Sequence, residues 1–219
     1  MTNKKLIVAL CGLIVLAGFG FGIYRHYQQQ AESLARLAQD TNSLLNRAHS
    51  PTYGPATARV RIVEFFDPSC ETCRAFYPLV KRLVDAQQGK VQLALRYVTF
   101  HEGSDQAVQI LEAARLQKLF WPVTEATLAA QPIWAAHHQP SPERIWEFLG
   151  NTGLDIPKAR ADMKLPAIQA VIDQDMADAA ALKVTRTPGF FVNGRPLENF
   201  GDEELKALVD EEVAKAYAP

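Results

Sequence analysis

A pair of cysteines separated by two residues constrains the fold and chemistry of this chain more than any other feature. The pair lies in the run Cys70-Glu71-Thr72-Cys73, directly after an apolar run at Val60–Phe66 that is typical of a strand. The residues that follow predict a helix, so the first cysteine lies at a helix N-terminus. Free N–H groups and partial positive charge there stabilise a thiolate. The pair therefore offers a nucleophilic and a resolving sulfur, the minimum needed to exchange disulfides.

The charge balance argues against a nucleic-acid-binding function. The 219 residues include 23 Lys and Arg and 24 Asp and Glu, for a formal net charge of −1. Nucleic-acid binding requires clustered Lys and Arg, and no such cluster is evident. Apart from Cys11 in an apolar N-terminal segment, the chain contains a single pair of cysteines. One pair fits a catalytic function better than a disulfide scaffold.

An uncharged apolar segment near the N-terminus predicts a membrane anchor. Leu6 to Tyr24 contains 19 residues without a charge, which as a helix would span roughly 28 Å, enough to cross the hydrocarbon core. Lys4 and Lys5 precede it, so the positive-inside rule places the N-terminus in the cytoplasm and the rest of the chain outside. We therefore expect residues 1–24 to be an N-terminal transmembrane anchor, and a cleaved signal peptide is the alternative.

Residues 25–54 are predicted to be a helical stalk or linker. Within them, residues 31–48 are polar, with apolar or small residues at heptad spacing. These residues are Leu34, Ala38, Thr41, Leu45 and Ala48. The pattern predicts either a monomeric spacer helix or a helix that joins two copies into a homodimer. The run Ser50 to Pro55 predicts the end of this helix and the beginning of the domain.

The remaining residues predict an α/β fold with an inserted helical domain. In residues 55–103, a strand, a helix and a second strand at Val91–Tyr97 form a right-handed parallel unit. Residues 104–183 have a helical pattern throughout. Residues 184–219 return to strand, with Asn193-Gly194 predicting a hairpin turn, and end in a helix. This order is that of a thioredoxin-like fold with a helical insertion domain, preceded by a transmembrane helix and a helical stalk.

Two segments resemble the DsbA-like thiol–disulfide oxidoreductases of the thioredoxin superfamily. They are VEFFDPSCETC at 63–73 and RTPGFFVNG at 186–194, with the helical insertion between them. The resemblance implies that the cofactor is the redox-active disulfide Cys70–Cys73 itself. It implies disulfide exchange with substrate proteins, for oxidative folding, and a membrane or periplasmic redox partner. With the apolar segment, it predicts a single-pass protein of the bacterial inner membrane with its catalytic domain in the periplasm.

The same resemblance implies a role for each residue of the site. Cys70 would be the exposed nucleophile and Cys73 the resolving thiol. Pro188 would be a cis-proline facing the pair, with the Thr187 backbone holding a substrate strand; an ordinary trans-proline is the alternative. Glu64 matches a buried acid with a raised pKa, which would take up the proton as Cys73 attacks a mixed disulfide. The alternative is an edge-strand Glu64 that reaches water.

The chain departs from the family between the two cysteines. Strongly oxidising members have a histidine there, whereas this chain has Glu71 and Thr72. A carboxylate beside Cys70 should oppose the thiolate, raise its pKa and make the disulfide less oxidising, with partial compensation by a Thr72 hydrogen bond. Oxidase, isomerase and reductase activities therefore all remain open.

A periplasmic copper- or zinc-binding thioredoxin-like module is the alternative from another functional class. Two thiolates can bind copper(I), but zinc usually requires four ligands. The chain has no second cysteine pair of this spacing, although His101, His137 and His138 are available. We therefore expect no resident metal.

Overall fold

The computed structural model describes residues 19–21, 23–30, 32, 39–136 and 140–218, in two compact units. The units are Met1–Ser43 and Leu44–Pro219. In the first unit, the described residues are helical. Across the part of the chain that the structure describes, no helix combines the length and apolar character needed to cross a membrane. Most of the predicted anchor, and residues 31 and 33–38 of the predicted stalk, lie outside the described residues.

The second unit contains a mixed sheet in the order β1-β3-β2-β4-β5. Its strands are β1 (Thr52–Tyr53), β2 (Val60–Phe66), β3 (Val91–Tyr97), β4 (Gly189–Val192) and β5 (Arg195–Pro196). β2 is parallel to β3, and the other neighbouring pairs are antiparallel. The predicted parallel unit and the predicted hairpin are therefore both confirmed.

Helices cover both faces of this sheet and form the segment between β3 and β4. They are α1 (Glu71–Ala86), α2 (Ser104–Leu116), α3 (Phe120–Trp134), a 3-10 helix (Pro142–Phe148), α4 (Ile156–Asp162), α5 (Pro166–Ala181) and α6 (Asp202–Ala216). Together the sheet and these helices form an α/β thioredoxin-like fold, as the sequence predicts.

β2 is the central strand, and apolar side chains from both of its faces are buried. Ile62 on one face belongs to a cluster with Val84 of α1 and Val209 of α6. Phe65 on the other face packs in a second cluster with Ala179 of α5. Burial on both faces is typical of a central strand. The cysteines therefore follow a strand that is enclosed on both faces.

The predicted stalk differs from the structure at its C-terminal end. The helix that contains residues 39–45 ends there, and Leu45 is only 1% exposed. It packs with Phe65 and Phe191 against the sheet, while Arg47 binds Asp178 of α5 at 2.7 Å. Leu45 therefore contributes to the core of the second unit instead of a stalk seam, because burial against the sheet removes its side chain from water.

The predicted insertion also differs from the structure, because its last helix covers the sheet. Ala179 of α5 packs in the cluster that covers the Phe65 face of the sheet. Arg96 of β3 is fully buried and binds Asp175 and Asp178 of α5 at 2.7 and 2.5 Å. These buried ion pairs join α5 to the strand, so α5 belongs to the thioredoxin-like layers.

Candidate active site

Cys70 caps the N-terminus of α1, and Cys73 lies one helical turn further along. The Cys70 sulfur accepts a hydrogen bond from the Cys73 N–H at 3.4 Å. Both are free thiols, and Cys73 is fully buried. Cys70 is only 6% exposed, so the prediction of an exposed nucleophile is too strong, because the surrounding loops enclose it. Its surface opens into a cavity of about 310 Å³.

The loop containing Thr187 and Pro188 lies directly against Cys70. The peptide bond between them is cis, and the Cys70 sulfur lies 3.5 Å from the Thr187 carbonyl oxygen. The sheet explains this proximity, because β4 is antiparallel to β2 and Gly189 pairs with Phe65. The residues before β4 are therefore held at the end of β2 from which the cysteine loop begins.

The pKa of Cys70 is lowered from 9.0 to about 5, which contradicts the expectation based on Glu71. Hydrogen bonding by the Cys73 side chain contributes most, and the Thr187 side chain and the Cys73 and Thr72 backbone add to it, while burial opposes the shift. Glu71 is exposed, where water and salt screen its charge. Local hydrogen bonds therefore determine the state of this sulfur.

Cys73 and Glu64 are shifted in the opposite direction, mainly by burial. The pKa of Cys73 is raised well above its usual value, with hydrogen bonding to Cys70 and the charge of Glu64 adding to burial. Burial, followed by the charge of Cys70, raises the pKa of Glu64 to about 8. Glu64 is fully buried on the central strand, so it does not reach water as an edge-strand residue would. Neither of its carboxyl oxygens has a hydrogen-bond partner among the described residues.

Gln131 of α3 fixes the cysteine loop and was not found by sequence reasoning. Its amide nitrogen donates to the carbonyl oxygens of Pro68 and Cys70 at 2.8 and 3.0 Å. Its amide oxygen accepts from the Arg74 Nε at 2.8 Å. Gln131 is 1% exposed, so the inserted helices hold the nucleophile's loop through a buried side chain.

Asp67 organises the other side of the same loop and was also missed. Its carboxylate is fully buried and accepts from the N–H of Ser69 and Phe100, both at 2.9 Å. It also accepts from the His101 N–H at 3.1 Å and from the Ser104 hydroxyl, and one of its oxygens lies 2.7 Å from the His101 ring Nδ1. The only indication of this role in the sequence is that Asp67 lies three residues before Cys70.

The cavity beside Cys70 combines acidic, hydroxyl and imidazole groups. Its lining includes Cys70, Glu71, Thr72, His101, Glu102 and Pro140. Within the described ranges, no three His, Cys, Asp or Glu side chains are grouped so that they could hold a metal ion. Of the histidines named above as possible ligands, His137 and His138 lie outside the described residues.

Comparisons with known proteins identify the family. The thioredoxin family model matches residues 46–211. The Na(+)/H(+) antiporter NhaA of Herminiimonas arsenicoxydans is 28% identical over 156 residues, which are 71% of this chain and 24% of the antiporter. Disulfide bond formation protein D of Bacillus subtilis is 25% identical over an alignment of 182 residues, which covers 74% of this chain and 77% of that protein.

A solved structure agrees with this match along the whole domain. A thioredoxin-like oxidoreductase from Silicibacter pomeroyi is 29% identical, with a TM-score of 0.67, and the match covers 81% of this chain and 98% of that one. The chain spans about a quarter of the length of the antiporter relatives it matches. With the family model covering most of its residues, the chain belongs to the thioredoxin family.

Proposed function

We propose that the chain is an exported thiol–disulfide oxidoreductase of the DsbA-like type, which exchanges disulfides with partner proteins through Cys70 and Cys73. The main support is the contrast between the two sulfurs. The pKa of Cys70 is lowered to about 5, while that of Cys73 is raised well above its usual value. Near neutral pH one sulfur is a thiolate, and therefore a good leaving group, while the other holds its proton.

The proposed reaction begins with the Cys70–Cys73 disulfide. A substrate thiolate attacks the Cys70 sulfur, the bond between the two cysteines breaks, and Cys73 leaves with the electron pair. Glu64, protonated below its raised pKa of about 8, supplies a proton to Cys73. A second substrate thiolate then attacks the substrate sulfur of the mixed disulfide, and Cys70 leaves as a thiolate. Two substrate thiols are oxidised to a disulfide, and the cysteine pair is reduced.

Donation of disulfides, as in oxidative folding, is the direction we propose. A stabilised Cys70 thiolate favours the reduced form of the pair and so makes its disulfide more oxidising. The resemblance to a protein named for disulfide bond formation points the same way. A disulfide-bearing redox partner in the membrane or periplasm would reoxidise the pair. An isomerase or reductase dimerised through residues 31–48 is the alternative.

Substrate binding and location complete the proposal. The backbone of Thr187 would pair with an extended substrate segment beside Pro188, at the edge of the cavity. Residues 1–24 would anchor the chain in the bacterial inner membrane, with the catalytic domain in the periplasm. The support for this location is the uncharged segment from Leu6 to Tyr24.

The direct test is oxidation of a reduced, unfolded protein that contains several cysteines, such as ribonuclease. The oxidised wild-type protein should restore its disulfides and activity, and Cys70→Ser should abolish this. Cys73→Ser should accumulate a covalent complex with the substrate, seen as a band that disappears on reduction. Wild-type rates in both variants would contradict the proposal. Stoichiometric copper or zinc on the reduced protein, without oxidation of ribonuclease, would instead support the metal-binding alternative.

A further inference from the structure

A histidine that is oriented by a buried carboxylate lines the cavity beside Cys70. His101 lies in the loop between β3 and α2, and its side chain is 46% exposed. Its ring Nδ1 lies 2.7 Å from a carboxylate oxygen of Asp67. Because His101 and Cys70 line the same cavity, a substrate segment in that cavity has access to both the sulfur and the imidazole.

The partners of Asp67 determine which ring nitrogen carries the hydrogen. The N–H groups of Ser69 and Phe100 and the Ser104 hydroxyl all donate to this carboxylate. Because a carboxylate can only accept hydrogen bonds, the Nδ1 of His101 beside it must carry a hydrogen and donate it to Asp67. In the neutral ring the other nitrogen, Nε2, is then a proton acceptor, and it has no hydrogen bond among the described residues. The arrangement of carboxylate, imidazole and open nitrogen is that of an oriented general base.

We propose that His101 is a further catalytic residue, whose Nε2 accepts the proton of a substrate cysteine as that sulfur attacks Cys70. This inference rests on the proposed function and deepens it. The substrate S–H bond breaks towards Nε2, a bond forms between the substrate sulfur and Cys70, and Cys73 leaves with the electron pair. The oxidant is the Cys70–Cys73 disulfide itself. Asp67 stabilises the imidazolium, which then returns its proton to water.

The other charged groups of the cavity suit this role less well than His101. Glu71 and Glu102 also line it, but a carboxylate is a weaker base than imidazole near neutral pH. Cys70 is the sulfur under attack and is bonded to Cys73 in the oxidised form, so it cannot serve as the base.

The ionisation of cysteine limits the size of the effect. An ordinary cysteine thiol has a pKa of about 8.5, so only about 3% is thiolate at pH 7. A base that removes the proton within the site can therefore raise the rate by at most about 30-fold. Loss of the base should slow exchange at pH 7 by about 3- to 30-fold, and the difference should disappear towards pH 9.5, where the thiol ionises without help.

The experiment compares two thiols attacking the oxidised full-length protein. His101→Asn keeps an amide donor near the position of Nδ1, for Asp67, but has no basic nitrogen. It should slow attack by a cysteine-containing peptide at pH 7. It should leave attack by cysteine ethyl ester nearly unchanged, because this alkyl thiol is already largely ionised at pH 7 and needs little help from a base. His101→Gln, which also lacks a basic nitrogen, should show the same selectivity. Glu102→Gln is the control in the same cavity and should change the ratio of the two rates little.

Three outcomes would overturn the assignment. A peptide rate equal to that of wild type in both His101 variants would show that no base acts there. Equal slowing of both thiols would show that His101 only maintains the loop. A wild-type protein whose disulfide reacts with neither thiol would contradict the proposed function as well, so this failure is distinguishable from the other two.

Discussion

The sulfur of Cys70 lies 3.5 Å from the carbonyl oxygen of Thr187, although 117 positions separate the two residues along the chain. Antiparallel pairing of Phe65 with Gly189 produces this contact, because it brings the start of β4 to the end of β2. The site is thus assembled by the sheet, and the cysteine loop and the Thr187 loop act as one unit. The thiolate of Cys70 depends on groups from both.

Replacement of Thr187 by valine tests that dependence. The rate at which iodoacetamide alkylates Cys70 in the reduced protein should rise with pH through a midpoint near 5, since its pKa is lowered to about 5. Thr187→Val removes a hydroxyl that stabilises the thiolate, and hydrogen bonds to charged groups contribute about 1.5–3 kcal/mol. The midpoint should therefore rise by about 1–2 pH units. Thr52→Val, at an exposed position in β1, is the control, and an unchanged midpoint in Thr187→Val would contradict the assignment.

Glu64 should make the oxidised protein less stable as the pH rises. Burial, the main cause of the raised pKa of Glu64, also applies in the disulfide form, so the folded state keeps the Glu64 proton well above the 4.5 at which the unfolded chain releases it. As the pH rises from 4.5 through the folded-state pKa, the unfolded state binds fewer protons, so stability is lost at up to about 1.4 kcal/mol per pH unit. The disulfide form is used because the cysteines do not titrate in it.

Urea unfolding at several pH values between 4.5 and 8 measures this slope. Glu64→Gln keeps the shape of the side chain but cannot ionise, so its free energy of unfolding should change less with pH over the window. Glu147→Gln is the matched control, since Glu147 is exposed to solvent. Parallel curves for wild type and Glu64→Gln would show that Glu64 is ionised in the folded protein.

Gln131→Leu should both destabilise the domain and alter the nucleophile. The change leaves the carbonyl oxygen of Pro68 without its Gln131 donor, while the carbonyl oxygen of Cys70 loses one donor and keeps the Arg74 N–H. Since an unsatisfied buried group costs about 1–3 kcal/mol, we expect a loss of that size in urea unfolding and a shifted pH midpoint of Cys70 alkylation. Gln169→Leu, at an exposed position, should change neither quantity, and an equal response in the two variants would contradict the role of Gln131.

Arg96→Met tests the buried ion pairs between β3 and α5. Asp175 and Asp178 would lose a fully buried cation, and removal of one partner of a buried pair typically costs about 3–5 kcal/mol. Arg144→Met breaks an exposed pair with Glu147, for which about 0–1 kcal/mol is expected. Urea unfolding compares the two variants, and similar losses would show that the buried network contributes little.

The fold could be predicted where the sequence contains strong local signals. The Asn193-Gly194 turn has positive φ at both residues, the conformation that this dipeptide favours in a hairpin. β1 was missed because it is only two residues long, between Pro51 and Gly54. The heptad spacing that included Leu45 was misleading, because a buried leucine at the end of a helix produces the same pattern whether its partner is a second helix or a sheet.

The sequence predicts those residues of the site that lie in recognisable motifs, and it does not predict the residues that reach the site from elsewhere in the fold. Cys70, Cys73 and Pro188 belong to recognisable runs, and the strand pattern around Glu64 predicts its burial. Gln131 comes from a helix about sixty residues away, and no local pattern shows that it reaches the cysteine loop. The expected effect of Glu71 on the pKa of Cys70 was wrong for two reasons. The Glu71 carboxylate is exposed, so water screens its charge although it is adjacent in sequence. Hydrogen bonds from other groups to the sulfur lower the pKa of Cys70.

The reduction potential of the Cys70–Cys73 pair against glutathione tests the central claim most directly. A Cys70 pKa of about 5 lies between those of the nucleophilic cysteines of DsbA and thioredoxin, about 3.5 and 7. The potential should therefore lie between their values of about −120 and −270 mV, which suits donation of disulfides. A potential below about −270 mV would contradict the account, since the pair would then act as a reductant.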